Sequence, residues 1–568
     1  MAYRQSSTAI ARIYIKHSSV SDLIVDLGVG DSINPIWSIN VWHQESGIND
    51  LNLTVDISAA TQYLPPSDEN RWFMKVFDAV NGNQGQIEKF TIIDGSQTYD
   101  SMSIPTAIYD FQVSHSYIPG VPIELAISRR ISIRDFPTTE NYALPEISSD
   151  ILLKVLWASY GASSFGRTAS RICGNYPLVI YVSNKTAIYR YGPDQQTLEL
   201  LRQGDYRGID KGYYDYYPAP VELFICLNLS KYADVYLGAM EAGTVIQNIY
   251  LEANALGLGT VCVGGMNRTL FHEVLSLPAN EVVLYNMPLG YPTSWAFYNF
   301  TCTVPIGSAE LPVVRQSSVF LDSTLANARE SHSYSEVPLT PQEISQILWS
   351  AYSLSYLRDM RPSFWSFNTQ HRTIASAGGA YPLEVWFMNS TGTYLYNPWD
   401  HYVYAMSFGD KRTGLAQSTA ASWIGSSPMA LVVVLNITQM QERGGGQLDW
   451  AYTEIGSVIQ NVFLESTAWG LVADWSKILD ENATKTILGI AEYADLRPII
   501  AVTVGHPLVR GDINNDGLVD IFDAIMLSAA WNSMPGSPKW NPNADINNDN
   551  IVDIFDAIIL AKDFGKKV

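Results

Sequence analysis

Three hydrophobic rhythms follow one another along the chain. Between residues 11 and 93, apolar positions recur in short runs at Ala11–Ile15, Leu23–Leu27, Ile36–Trp42, Leu51–Ile57, Trp72–Phe77 and Ile87–Ile93. The runs alternate or are rich in β-branched residues, and Gly, Asp, Asn and Pro separate them, which predicts a β-sandwich over residues 1–95. Residues 96–120 carry Gly, Ser and Pro with weak periodicity and read as a linker. From 121 onward, helically spaced apolar positions, as in Ile151–Tyr160, alternate with continuous apolar runs such as Val221–Leu227. The last rhythm, over 508–568, is two acidic stretches, each leading into a short apolar helix.

The middle rhythm is played twice. Ile151–Tyr160 matches Ile344–Tyr352, Val221–Ser230 matches Met429–Thr438, and Glu241–Glu252 matches Glu454–Glu465. One copy closes on Leu-Gly-Tyr-Pro (289–292), the other on Val-Gly-His-Pro (504–507). Residues 121–310 and 311–507 are therefore expected to be two copies of one α+β domain.

Composition narrows the picture. At 568 residues the chain exceeds what one core can organise, and 47% hydrophobic with 16% charged residues is a globular balance. A net charge of −21 argues against nucleic acid or an anionic membrane as partner, and no apolar run predicts membrane insertion. Met1–Ile10 lacks the basic start and apolar core of a signal peptide. Cys173, Cys226, Cys262 and Cys302 are spaced for neither a zinc site nor a disulfide scaffold.

Candidate chemistry centres on Ile374–Phe387, where Ser376, Ala377, Gly378 and Gly379 run through Tyr381-Pro382 into a strand. Small residues at such a place let something flat approach the backbone, although a tight turn entering a core strand would look the same. Ser170–Tyr181 is an altered copy that keeps Tyr-Pro-Leu but carries Arg171, Ile172 and Cys173 in the turn.

Three motifs taken together resemble the FMN-dependent nitroreductase superfamily. They are Arg130–Phe136 (R-I-S-I-R-D-F), Ser376–Glu384 (S-A-G-G-A-Y-P-L-E), and Glu241–Gly259 followed by Val263-Gly264-Gly265. The nearest branch is the SagB-type dehydrogenases, which oxidise azolines to azoles. The resemblance implies an obligate dimer with FMN between subunits, and here an intrachain pseudo-dimer of two fused nitroreductase-like domains. Arg130, Ser132 and Arg134 of the first copy would hold the phosphate, since two arginines and a hydroxyl on an extended segment can converge on one anion. Ser376, Ala377, Gly378 and Gly379 of the second copy would lie against the ring, with Glu241, Gly243, Gly264 and Gly265 completing the cofactor-binding set. The complementary site pairs Arg329, Ser331 and Ser333 with Arg171–Gly174. It lacks the second arginine and the small turn, so one FMN per chain is expected. The branch also carries a catalytic Lys-Tyr pair, which implies Lys231 as proton acceptor beside Tyr232. The branch arginine a few residues later is absent, Asp234 and Val235 standing there, and the second copy has no such pair. At the N-terminus, Ile15–Leu27 and Arg71–Ile92 resemble the P domain of proprotein convertases.

Asp512–Asp523 and Asp545–Asp556 are calcium loops of EF-hand type. Their oxygen ligands would be Asp512, Asn514, Asp516, Asp520 and Asp523 in one, and Asp545, Asn547, Asp549, Asp553 and Asp556 in the other. Leu518 and Ile551 contribute through backbone carbonyls. Aspartate at the last position, with a following helix and a tandem copy, resembles the type I dockerin. That implies two Ca²⁺ and a cohesin-bearing partner, recognised around Ile521-Phe522 and Ile554-Phe555. The expected protein is thus an extracellular FMN-dependent oxidoreductase, acting on an unidentified small molecule or peptide and tethered through its dockerin. The alternative is a nitroreductase fold without cofactor, serving as a binding module on the same tether.

Overall fold

The computed structural model describes residues 9–17, 23–30, 35–43, 51–56, 72–78, 85–94, 97–100, 121–134, 136, 146–163, 165–208, 219–292, 311–317, 319–335, 337–354, 372–508, 511–514, 518–535, 537–547 and 549–566. In the N-terminal strands it describes the side chains of residues 11–15, 25, 27 and 51–54.

The N-terminal strands are β1 (Ala9–His17), β2 (Leu23–Gly30), β3 (Pro35–His43), β4 (Leu51–Asp56), β5 (Trp72–Asp78), β6 (Gly85–Asp94) and β7 (Gln97–Asp100). They form two antiparallel sheets, ordered β4-β1-β6-β7 and β3-β2-β5. Ala11, Ile13 and Ile15 are buried while Arg12 is exposed, so β1 buries one face at the two-residue period.

The first copy contains α1 (Ile123–Arg129), α2 (Ser149–Tyr160), β8 (Ala162–Ser163), β9 (Gly166–Arg167), β10 (Leu178–Asn184), β11 (Ala187–Gly192), β12 (Thr197–Gln203), β13 (Val221–Asn228), α3 (Val235–Ala255), β14 (Gly259–Thr260), α4 (Arg268–Val274) and β15 (Glu281–Gly290). The second contains α5 (Leu321–Asn327), α6 (Pro341–Tyr352), β16 (Leu383–Met388), β17 (Gly392–Asn397), β18 (Tyr402–Phe408), α7 (Arg412–Gln417), β19 (Met429–Asn436), α8 (Ile437–Arg443), α9 (Leu448–Ala468), β20 (Val472–Lys477), α10 (Glu481–Leu488) and β21 (Leu496–Gly505). Their antiparallel sheets have the same order, β12-β11-β10-β13-β15-β14 and β18-β17-β16-β19-β21-β20. Central β13 and β19 are buried along their length except for the terminal asparagine, which is why both read as unbroken apolar runs.

Helices α3 and α9 join the copies. From Leu237 to Ala253 every residue of α3 is buried, because one face packs on its own sheet and the other on α9. Glycine sets the crossing distance: a Cβ on Gly456 would stand 1.8 Å from the Met240 carbonyl oxygen, and one on Gly243 2.0 Å from that of Thr453. Beyond the crossing lies a reciprocal amide lattice. Gln247 Nε2 donates to Asn461 Oδ1 at 2.8 Å, and Gln460 Nε2 donates to Asn248 Oδ1 at 2.9 Å. The four amides also reach the Thr168 and Thr373 carbonyls, so the turn of each copy is anchored to the helix pair.

The C-terminal unit has α11 (Ile521–Ala529) and α12 (Ile554–Asp563) over a small core that includes Ile513, Val519, Leu527, Val552 and Leu560. Asp520 and Asp553 cap the helices in matching capping boxes with Asp523 and Asp556. Among the described residues no helix is long and apolar enough to cross a membrane.

Candidate functional site

Two comparable regions lie between the copies, one on each side of the α3–α9 crossing. They are built from the same positions, share the Arg-Thr and Tyr-Pro residues and the helix glutamate, and differ in the turn between and in the partners these residues find.

In the first, α1 ends at Arg129 and the chain continues extended, held by Ile133 N–H donating to the Thr260 carbonyl at 2.8 Å. Arg130 is thereby buried, 1% exposed, and reaches across to the second copy: Nε and Nη2 donate to the Arg372 carbonyl at 3.2 and 3.1 Å. Its Nη1 has no hydrogen-bond partner among the described residues. Ser132 is within 2.9 Å of the Tyr250 hydroxyl, which also accepts from Cys262 N–H. Arg134 is exposed and makes no hydrogen bond or ion pair among the described residues, which sets it apart from the anion pair it was expected to complete.

Arg372 faces this arginine from the second copy. It is 6% exposed, with its guanidinium 4.4, 4.7 and 5.4 Å from the ring centroids of Tyr352, Tyr381 and Trp399. Its Nε is buried without a partner. Cation–π contacts are worth about 0.5–2 kcal/mol each and satisfy no N–H, whereas a buried cation without a counter-charge costs several kcal/mol. Two such arginines side by side point to an anionic ligand.

The small-residue turn follows Arg372. Gly378 and Gly379 have φ of +61° and +66°, conformations that favour glycine, and a Cβ on Gly378 would press 2.5 Å from the Arg443 carbonyl oxygen. A Cβ on Gly379 would meet nothing within 4 Å, so this edge of the turn is open. Glu454 on α9 holds the turn: Oε1 accepts from Ser376 Oγ at 2.7 Å and Ala377 N–H at 3.1 Å, while Oε2 is buried and unpaired. Burial raises its carboxyl to about 8, against the opposing pull of those donors and of Arg372. Gly264 of the first copy abuts Trp450 of α9, whose indole N–H is a further buried donor without an acceptor. Gly265 continues the same loop.

The second region is filled by its own side chains. Arg171 Nη2 pairs with Glu330 Oε2 at 3.0 Å, and the Arg171 carbonyl accepts from Trp475 Nε1 at 3.1 Å. Ile172 and Cys173 are folded into the core. Arg329 stacks on Phe165, Ser331 N–H donates to the Ala473 carbonyl, and Ser333 N–H reaches Ser331 Oγ. Glu241 sits on this side, so it is Glu454 that meets the Gly378 turn. Both Glu241 oxygens are used, by Tyr160 OH and by the Ile172 and Cys173 N–H groups. Gly243 belongs to the helix crossing and not to a ligand cradle.

Lys231 and Tyr232, expected as a catalytic pair, also lie on this filled side. Lys231 Nζ donates to the Tyr176 carbonyl at 3.2 Å, and Tyr232 packs against the core containing Cys173. In the second copy Gln439 Nε2 makes the same bond to the Tyr381 carbonyl at 3.2 Å. An amide cannot act as a base, so what the two copies share at this position is the hydrogen bond to the Tyr-Pro turn.

Arg372, Trp450 and Glu454 were not singled out from the sequence. The signal for Arg372 was present in the duplication, since Arg167-Thr168 and Arg372-Thr373 precede the two Tyr-Pro turns by the same spacing.

In the C-terminal unit, Asp545 Oδ1 and Oδ2 accept from the Asp549 and Asn550 N–H groups, curling that loop around its own carboxylate. Asp523 and Asp556 accept backbone N–H groups at the start of each loop, from Ile513 and Asn514 and from Ile546 and Asn547. Asn547 Nδ2 reaches Asp549, and Ile551 N–H reaches Asp549 Oδ1. Asp512, Asn514 and Leu518 are not free of partners, and Asp516 of the same loop lies outside the described residues. An oxygen-rich loop curled in this way suits Ca²⁺. Ile521 and Phe522 on α11 and Ile554 and Phe555 on α12 are all more than half exposed.

Comparison with known proteins accords with this geometry. The nitroreductase family matches residues 127–291 and again 326–506, and the dockerin type I domain matches 510–565. A Methanocaldococcus jannaschii protein named as a nitroreductase is 28% identical over 210 residues, 35% of this chain and 96% of its own. The NADPH-flavin oxidoreductase of Vibrio harveyi is 41% identical over 58 residues, 10% of this chain and 24% of its own. A nitroreductase structure from Anabaena variabilis, at 14% identity, superposes with a TM-score of 0.52 over 67% of this chain and 94% of that one. It shares the fold.

Proposed function

From a chain that belongs to the nitroreductase family of oxidoreductases and carries a type I dockerin domain, we propose an extracellular FMN-dependent oxidoreductase carried on a cohesin-bearing partner. One observation supports the flavin reading above the rest. Buried hydrogen-bonding groups without partners gather at the first region, namely Arg130 Nη1, Arg372 Nε, Trp450 Nε1 and Glu454 Oε2. At the second, the matching Glu241 is fully bonded, Arg171 is paired with Glu330, and Arg167 Nη1, which lacks a hydrogen bond, has the Asp194 carboxylate 2.7 Å away as counter-charge. Native structures leave few buried polar groups unpaired, so a cluster of them marks a missing ligand.

Arg130 and Ser132 would hold the phosphate end, with Arg372 beside them in the place expected of Arg134. The open edge of Ala377-Gly378-Gly379 would receive the ring, and Trp450 with Gly264 would close the other side. The cofactor supplies acceptance and donation of hydride. The chain's part is to fix its position, exclude water through the α3–α9 core, and offer a buried carboxyl at Glu454. The Lys-Tyr chemistry of azoline oxidation has no counterpart here, since Gln439 occupies that position. We therefore propose a different hydride transfer, one flavin per chain within an intrachain pseudo-dimer, and a P-domain-like sandwich at residues 1–95.

The experiment is the visible spectrum of the purified protein with released flavin quantified per chain. One FMN per chain is expected, and Arg130→Ala should lower its occupancy about tenfold or more, as loss of a charged hydrogen-bond donor does. Two flavins per chain would overturn the closed second region. None, after soaking in FMN, would favour the binding module.

A further inference from the structure

The two copies differ at one position whose consequence reaches the buried arginines. In the first copy, Arg167 lies between Tyr160 and Tyr176, 5.7 and 5.4 Å from their ring centroids, and its Nη1 pairs with Asp194 Oδ1 at 2.7 Å. In the second, Arg372 lies between the equivalent Tyr352 and Tyr381. The hairpin turn that supplies Asp194 after Pro193 supplies Trp399 after Pro398, and each turn has a left-handed residue two positions on, Gln196 and His401. The backbone is conserved between copies while the counter-ion is replaced by an indole.

We propose that Trp399 is the specificity determinant of the first region: by standing where the other copy has a carboxylate, it leaves Arg372 free to take, with Arg130, a phosphate-type dianion. Asp194 supplies a counter-charge to one arginine, whose Nη1 is nevertheless left without a hydrogen bond, whereas Trp399 stands over the other and supplies neither charge nor acceptor. Stacking then fixes the guanidinium plane, and Nε remains available to an incoming oxygen. Glu454 feels the charge of Arg372, yet forms no ion pair with it among the described residues. The source of the anion rests on the flavin reading above; its charge does not.

The test uses the full chain with three probes: FMN, riboflavin and inorganic phosphate. FMN should bind about tenfold or more tighter than riboflavin, the difference being hydrogen bonds to charged groups. Trp399→Asp should abolish that difference by pairing with Arg372 as Asp194 pairs with Arg167, while Trp399→Phe should keep it. Inorganic phosphate should raise the melting temperature of the parent and of Trp399→Phe, and compete with FMN, but should do neither in Trp399→Asp or Arg372→Gln. Equal binding of FMN and riboflavin by the parent, or an undiminished preference in both Trp399→Asp and Arg372→Gln, overturns the proposal and leaves the flavin reading intact. Phosphate stabilisation that follows this pattern in a chain binding neither flavin keeps the anion site and overturns the flavin reading.

Discussion

Glu241 and Glu454 occupy the same register on paired helices and carry different burdens. Glu241 accepts three hydrogen bonds on two oxygens, whereas Glu454 accepts two on one oxygen and none on the other. Its carboxyl, raised to about 8 by burial, is protonated in the folded chain at neutral pH while the unfolded chain has already lost the proton. A group raised on folding stabilises below its unfolded value, near 4.5, and that contribution fades as pH rises through the folded value. Stability should therefore decline between about pH 4.5 and 8, by up to a few kcal/mol, each pKa unit being worth about 1.4 kcal/mol. Glu252, also raised to about 8 by burial, adds to the same slope. Glu454→Gln should flatten it in urea melts across that range, and a slope unchanged by the substitution would sink this account. The sequence shows two glutamates in matching motifs; it does not show that a tyrosine donates to one and not to the other.

At the scale of elements, the crossing of α3 and α9 depends on two missing side chains. Gly456→Ala would drive a methyl into the Met240 carbonyl, backbone against backbone, so the helices must separate to admit it. Overpacking a core costs about 1–3 kcal/mol, and the rigid neighbour places this case at the upper end. Gly425→Ala, whose nearest atoms would stand 3.5 Å away, serves as the tolerated control. Thermal melts should show Gly456→Ala well below the parent and Gly425→Ala close to it. Much at this scale is legible in sequence: apolar runs over Val221–Leu227 and Met429–Leu435 become central strands, and the matched Glu-to-Glu segments become the paired helices. What periodicity does not carry is which face meets which. Gly243 lies at the helix crossing, and Lys231 Nζ donates to the Tyr176 carbonyl. Both roles depend on contacts between segments far apart in the chain.

At the scale of the molecule, catalysis and tethering reside in parts that share no core. The dockerin helices pack on each other, and the acidic loop before the second is curled around the Asp545 carboxylate, which Ca²⁺ would neutralise. Chelation with EDTA should therefore abolish cohesin capture and lower helix content modestly, while flavin absorbance per chain stays unchanged. Loss of flavin along with capture would show that the two parts are coupled.

The covalent link between the copies has a consequence of its own. A site shared by two separate subunits exists only as far as mass action keeps them together, and dilution empties it. Here Arg130 and Arg372 belong to one polypeptide, so their encounter is intramolecular and independent of how thinly the protein is spread. A chain released into a large volume, one molecule per anchoring point, would keep its composite site whole.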